Sequence, residues 1–153
     1  MRRVEALLNE YGESHTNSTN ILIHAIAVPA IYFVSIGLLW SIPTPAFLDY
    51  FNVTWAHVFA VPVLWYYFKL SGPIGAAMTL LTIAGFLFIY AIDNAGLVVW
   101  QVCLALFVVM WILQFVGHHI EGKKPSFFKD LQFLLVGPAW WWGHWFKRLN
   151  IQY

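Results

Sequence analysis

Six histidines stand out in a chain of 153 residues, of which 61% are hydrophobic and only 10% are charged. Imidazole is the commonest nitrogen ligand of iron, zinc and copper, so histidines that converge in one place predict a metal site. The alternative is that they are amphipathic residues at a membrane–water boundary. Spacing alone leaves both open, because the sequence contains no HExxH or similarly strict ligand motif.

The segment HTNSTNILIH joins a loop histidine to a helical one. Asn20 and His24 are four residues apart and therefore share one face of a helix. His15 precedes this helix and is predicted to lie in a loop that folds back over the helix end. We expect Asn17 and Asn20 to bond a backbone carbonyl or the carboxylate of a substrate.

The segment QFVGHHIEGKKP carries the second group. Gln114, His118 and Glu121 fall on one helix face, whereas His119 is turned about 100° away. His118 is therefore predicted to point inward. Three roles stay open for Glu121: a metal ligand, an acceptor that orients an imidazole, or a surface pair with Lys124 or Lys123.

Basic and aromatic residues follow this segment. Lys123 and Lys124 suit an anchor to anionic lipid, or a site that captures an acidic head group. The stretch 131–146 holds four tryptophans, which is typical of a membrane surface and would also suit the wall of an acyl-chain groove. His144 in this stretch is a further candidate metal ligand, while His57 is expected to be structural.

The composition excludes several classes of protein. An average soluble domain is roughly 45–50% apolar and about 25% charged. This chain departs far from both values, which excludes an ordinary soluble domain. Its net charge of +1 and its single cysteine argue against a nucleic-acid binder and a disulfide scaffold. The polar first twenty residues argue against a cleavable signal sequence and predict an amphipathic helix that ends near Gly12.

Gaps between the few charges predict an all-α, polytopic membrane helix bundle within one domain, 1–153. The four predicted transmembrane helices are about 20–40, 54–68, 74–92 and 96–117. The stretch 131–146 is shorter, and we expect Gly137 and Pro138 to break it. It is therefore predicted to be a C-terminal re-entrant or interfacial segment.

The basic residues predict the orientation of the bundle. All of them can lie on one side of these spans: Arg2, Arg3, Lys69, Lys123, Lys124, Lys129, Lys147 and Arg148. The positive-inside rule makes that side, with both termini, cytoplasmic. Five of the six histidines fall on the same side, and His57 falls on the other. We expect a multi-pass protein of the bacterial inner membrane, or of the endoplasmic reticulum in a eukaryote.

Two segments resemble the iron-dependent 2-hydroxy fatty acid dioxygenases, a family of small multi-span membrane proteins. They are HTNSTNILIHAIAVP, residues 15–29, and WILQFVGHHIEGKKPSFFKDLQFLLVGPAW, residues 111–140. The order of the two segments and the apolar spans between them also fit the family.

The resemblance implies a set of site residues. The implied iron ligands are His15, His24 and His118, with His144 at a place where some relatives carry an acidic residue. It further implies that Glu121 and Asn20 are site residues, which we expect to be catalytic. We expect Lys124, Asn17 and Gln114 to bind the substrate.

The activity implied by the resemblance is α-oxidation, in which Fe(II) and O₂ shorten a 2-hydroxy fatty acid by one carbon. The substrate's carboxylate and 2-hydroxyl would chelate the iron at the cytoplasmic face, and membrane lipid would surround the protein. The alternatives are a non-enzymatic metal- or haem-binding membrane protein and a lipid-binding scaffold. A partner nucleic acid is not expected.

Overall fold

The computed structural model describes residues 3–13, 15–122 and 127–152, and all regular structure within them is helical. The seven helices are α1 (Arg3–Gly12), α2 (Ser18–Trp40), α3 (Ala46–Tyr50), α4 (Trp55–Leu70), α5 (Gly72–Asn94), α6 (Val99–Glu121) and α7 (Phe127–Arg148). The predicted all-α class is confirmed.

Three of the described helices, α2, α5 and α6, are long and apolar enough to cross a membrane, with 23 residues each. They coincide with three of the four predicted spans. A helix also forms at the remaining one, but α4 has only 16 residues. At 1.5 Å per residue it reaches about 24 Å, which is short of a hydrocarbon core of about 30 Å.

The amphipathic helix predicted at the N-terminus is present and ends at Gly12. Its apolar side chains Val4, Leu8 and Tyr11 are buried in one core with residues of α4, α5 and α7. Helix α1 therefore packs onto the bundle through the apolar stripe that the spacing predicts.

Helix α7 is continuous, so the prediction that Gly137 and Pro138 break the stretch 131–146 was wrong. Proline lacks the N–H of a helical hydrogen bond, but a helix held by tertiary packing tolerates this loss. Here the packing is close, because a Cβ at Gly137 would lie 3.2 Å from the Tyr11 hydroxyl oxygen and from Val28 Cγ1.

Helices α2 and α6 run antiparallel and form the most extensive helix pair among the described residues. Gly37 allows α2 to approach α5 and α6, because a Cβ at this position would lie only 2.6 Å from Ile89 Cδ1 and would overlap Cys103. At the other end of this helix pair, the start of α2 and the end of α6 meet beside α1 and α7. The first and last parts of the chain thus cover one end of the bundle.

Candidate metal centre

Three histidines meet at this covered end of the bundle. His15 comes from the loop between α1 and α2, His24 from the second turn of α2, and His118 from the last turn of α6. Their side chains are 6%, 1% and 9% exposed. One ring nitrogen from each lies within 4.8 Å of the other two. The group could therefore hold a metal ion.

The imidazole of His15 is fixed by its neighbours on α1 and α7. Its Nδ1 lies 2.7 Å from the Tyr11 carbonyl oxygen. Its ring stacks on the Tyr11 ring at a centroid distance of 4.3 Å and lies 5.3 Å from the Trp140 ring. Helices α1 and α7 thus orient a ligand candidate that belongs to neither of them.

The hydrogen bonds of His15 and His24 select the tautomer that metal binding requires. The Nδ1 of His24 lies 3.0 Å from the Asn20 carbonyl oxygen, as the Nδ1 of His15 does from a carbonyl. A carbonyl oxygen only accepts, so each Nδ1 donates, and in the neutral imidazole Nε2 then keeps its lone pair. An imidazole that binds metal through one nitrogen usually donates the other N–H in this way. Two imidazoles oriented in this way and the adjacent His118 suit iron, zinc or copper.

Glu121 joins the end of α6 to the start of α2. Its carboxylate accepts hydrogen bonds from the Thr16 backbone N–H at 2.9 Å and from the Thr16 hydroxyl. It also accepts from the Asn17 N–H at 3.0 Å and from Asn20 Nδ2 at 2.9 Å. An ionised carboxylate is an acceptor only, which matches these four donor groups. These contacts fit a group that holds the loop of His15, the ligand loop, in place, a role that differs from the three that spacing left open for Glu121.

Other predicted site residues lie near the three histidines. Asn17 is the N-cap of α2, since its side-chain oxygen accepts from the backbone N–H groups of Thr19 and Asn20. Gln114 of α6 lies close enough to the His24 side chain to interact with it. His118 is buried and His119 is exposed, as the helical spacing predicts. Lys124 lies outside the described residues.

His144 does not join the three-histidine group. Its side chain is exposed on α7, and its ring lies 6.1 Å from the Trp140 ring. The Trp140 ring contacts the ring of His15. Because helical residues four apart are about one turn distant, His144 is displaced along α7 from the group. Among the described residues, the candidate centre therefore contains three imidazoles.

Gly117 is a site residue that the sequence analysis did not identify. A Cβ here would overlap the side-chain oxygen of Asn20 and lie 3.1 Å from His24 Cε1. The absence of a side chain therefore lets α6 approach α2 where His24 and His118 meet. The sequence signal for this close approach was a glycine directly before a histidine that is predicted to point inward.

Gly117→Ala is expected to force α2 and α6 apart and to lower the free energy of unfolding by about 1–3 kcal/mol, as overpacking does. Metal affinity should fall with it, because His24 and His118 move apart. The matched control is Gly72→Ala, where a Cβ meets nothing within 4 Å. Thermal unfolding in detergent and metal analysis measure both effects. Equal behaviour of the two variants would contradict this account of Gly117.

His57 lies at the start of α4 and has a structural role. Its Nδ1 accepts the Thr54 backbone N–H at 3.1 Å, and its ring stacks on Phe86 at 4.5 Å. We expect His57→Ala to leave bound metal unchanged and to lower the free energy of unfolding by about 1 kcal/mol through loss of the cap. Thermal unfolding and metal analysis check this expectation, and a loss of metal would show that it is wrong.

Fold and site together define an all-helical protein with three apolar, membrane-length helices and a buried three-histidine group. A family model described as 2-hydroxy-palmitic acid dioxygenase Mpo1-like matches residues 1–149, and the chain belongs to this Mpo1-like family. It is 31% identical over 133 residues to the 2-hydroxy-palmitic acid dioxygenase MPO1 of Saccharomyces cerevisiae, covering 86% of this chain and 72% of the yeast protein. No solved structure matches the chain.

Proposed function

We propose that the protein is an Fe(II)-dependent dioxygenase that shortens 2-hydroxy fatty acids by one carbon. The family supports the reaction, since a relative with 31% identity is named for 2-hydroxy-palmitic acid. The observation that carries the proposal is the convergence of three buried imidazoles, two of which have Nδ1 bonded to a carbonyl.

In this proposal His15, His24 and His118 hold the iron, and Glu121 and Asn20 keep the ligand loop and α2 in place. Bound iron would supply O₂ activation, a chemistry that amino-acid side chains do not provide. Three protein ligands leave coordination positions for the substrate. The rings of Tyr11 and Trp140 cover His15 and exclude water from that side of the centre. The chain itself would contribute oriented ligands and aromatic side chains that exclude water.

The proposed location of the centre is the cytoplasmic face of a multi-pass protein. The last turn of α7 carries Lys147 and Arg148, and α7 packs beside the histidines. Basic residues favour the cytoplasmic side, which supports the orientation. A reporter enzyme fused to the C-terminus should be active only in the cytoplasm. Activity on the opposite side would overturn the orientation and leave the chemistry unaffected.

A haem protein is the weaker proposal for the same histidines. The His15 and His24 ring centroids are 4.3 Å apart, and those of His24 and His118 are 5.0 Å apart. Rings in such direct contact leave no space for a porphyrin between any two of them. The purified protein is therefore expected to show no spectrum of a haem bound by two histidines.

The decisive experiment combines metal analysis with mass spectrometry of products. Purified protein loaded anaerobically with Fe(II) should convert 2-hydroxyhexadecanoic acid and O₂ into pentadecanoic acid. Hexadecanoic acid, which lacks the 2-hydroxyl, should remain unchanged. Removal of the metal, verified by analysis, should abolish turnover, and Fe(II) should restore it. An iron-loaded protein that forms no shortened acid would overturn the proposed function.

A further inference from the structure

A cleft of about 250 Å³ lies between α1 and α7, beside the three-histidine group but outside it. Trp140 lines this cleft, and its ring also lies 5.3 Å from the His15 ring. One indole therefore separates the cleft from the candidate metal centre. The residues proposed to hold iron do not line it.

The described lining of the cleft is basic and polar on one side and apolar on the other. Lys147 and His144 are three residues apart and share one face of α7, and Asn9 faces them from α1. Leu8 and Trp140 form the apolar wall. No Asp or Glu is among the described lining residues. A cation with nearby hydrogen-bond donors and an apolar wall suits an anion attached to a hydrocarbon chain.

The size of the cleft limits what it can hold. Liquid water occupies about 30 Å³ per molecule, so 250 Å³ accommodates a head group and the first few carbons of a chain. Pockets that enclose a whole drug-sized ligand are larger, about 300–1,000 Å³. Glycines line both sides of the cleft, at Gly12 of α1 and Gly143 of α7. A long tail would extend out of the cleft.

We propose that this cleft binds the carboxylate of a long-chain fatty acid at the entrance to the centre. Lys147 supplies the positive charge, and His144 and Asn9 supply hydrogen bonds. Trp140 is the wall that the bound acid shares with His15. The identity of the ligand rests on the proposed function, whereas the preference for a carboxylate rests on the lining of the cleft. His144, predicted as an iron ligand, becomes a substrate-binding residue.

Equilibrium binding to metal-free protein in phosphatidylcholine nanodiscs tests this site without any turnover. The probes are radiolabelled hexadecanoic acid and its neutral counterpart hexadecan-1-ol. The acid should bind the wild type more tightly than the alcohol, and Lys147→Gln should weaken acid binding by about tenfold while leaving alcohol binding unchanged. Lys147→Arg should restore the preference, because it keeps the charge.

Arg148→Gln is the matched control, since it removes the same charge from the next residue. The Arg148 guanidinium lies over the Trp145 ring at 5.6 Å, and Arg148 does not line the cleft. Acid binding should be unchanged in this variant. Equal losses in the two glutamine variants would overturn the proposal, because they would reflect general surface charge. Equal binding of acid and alcohol by the wild type would overturn it as well.

Nanodiscs that also contain phosphatidylglycerol distinguish a fatty acid from a phospholipid. The acid should remain bound in them. If phosphatidylglycerol displaced the acid from the wild type and bound less to Lys147→Gln, the cleft would be a phospholipid site and the proposal would be wrong. Failure of the product assay would overturn the proposed reaction and leave this binding result standing, so the two failures are distinguishable.

Discussion

Replacing His118 by alanine is expected to abolish stoichiometric iron binding and the formation of shortened acid. Loss of a residue that only orients a metal ligand lowers affinity by about 10–100-fold, so loss of one of three ligands should lower it by more than about 100-fold. Anaerobic Fe(II) titration of the purified variant measures this affinity, and mass spectrometry measures the product. His118→Gln should behave in the same way, and it fills more of the space that alanine leaves empty.

The control for this prediction is His119→Ala. His119 belongs to the same turn of α6, but its side chain is exposed and is not part of the three-histidine group. Iron content and turnover should equal those of the wild type. If His118→Ala kept full iron content and turnover, the ligand set would be wrong. If both variants lost iron equally, the effect would come from the helix end rather than from a ligand.

Glu121→Gln is expected to lower iron affinity by about 10–100-fold, the range known for residues that orient metal ligands. The carboxylate accepts hydrogen bonds from Thr16, Asn17 and Asn20. A glutamine has one acceptor oxygen, and its NH₂ group would face these donors, so the loop that carries His15 would lose its attachment to α6. Fe(II) titration measures the affinity. Thermal unfolding with and without metal measures how much less the metal stabilises the variant than the wild type.

Two further substitutions define the role of Glu121. Glu10→Gln removes an exposed carboxylate from α1 and should leave iron affinity unchanged. At saturating Fe(II), Glu121→Gln should recover most of its turnover, since the proposed role is to position the ligand loop. A variant that bound iron with full affinity but made no product would instead assign Glu121 to the chemical step.

The sequence predicted those parts of the fold that depend on local patterns. Uncharged apolar runs located α2, α5 and α6, because a membrane-spanning helix must be apolar along its length. The rotation of about 100° per residue separated buried His118 from exposed His119. The loop position of His15 followed from the polar residues around it. Each of these inferences uses neighbours within one or two helical turns.

What the sequence could not show depends on contacts between distant segments. Two of the four donors to Glu121 are the backbone N–H groups of Thr16 and Asn17, and no side-chain pattern records the conformation of that loop. His144 was assigned to the metal from its type and its place after Pro138. The continuous path of α7 and its rotation instead put Trp140 against His15. Gly117 was not predicted as a site residue because its role depends on the lack of a side chain.

The bond between Thr16 and Glu121 joins residues 105 positions apart in the chain. During synthesis, His15 and His24 emerge long before His118, so the growing chain cannot present all three imidazoles until α6 has been inserted. The proposed iron binding would thereby be linked to completion of the bundle, because an ion that binds only the finished fold stabilises it by mass action. If the proposed centre binds iron, chains truncated before α6 should remain free of it, since they lack His118.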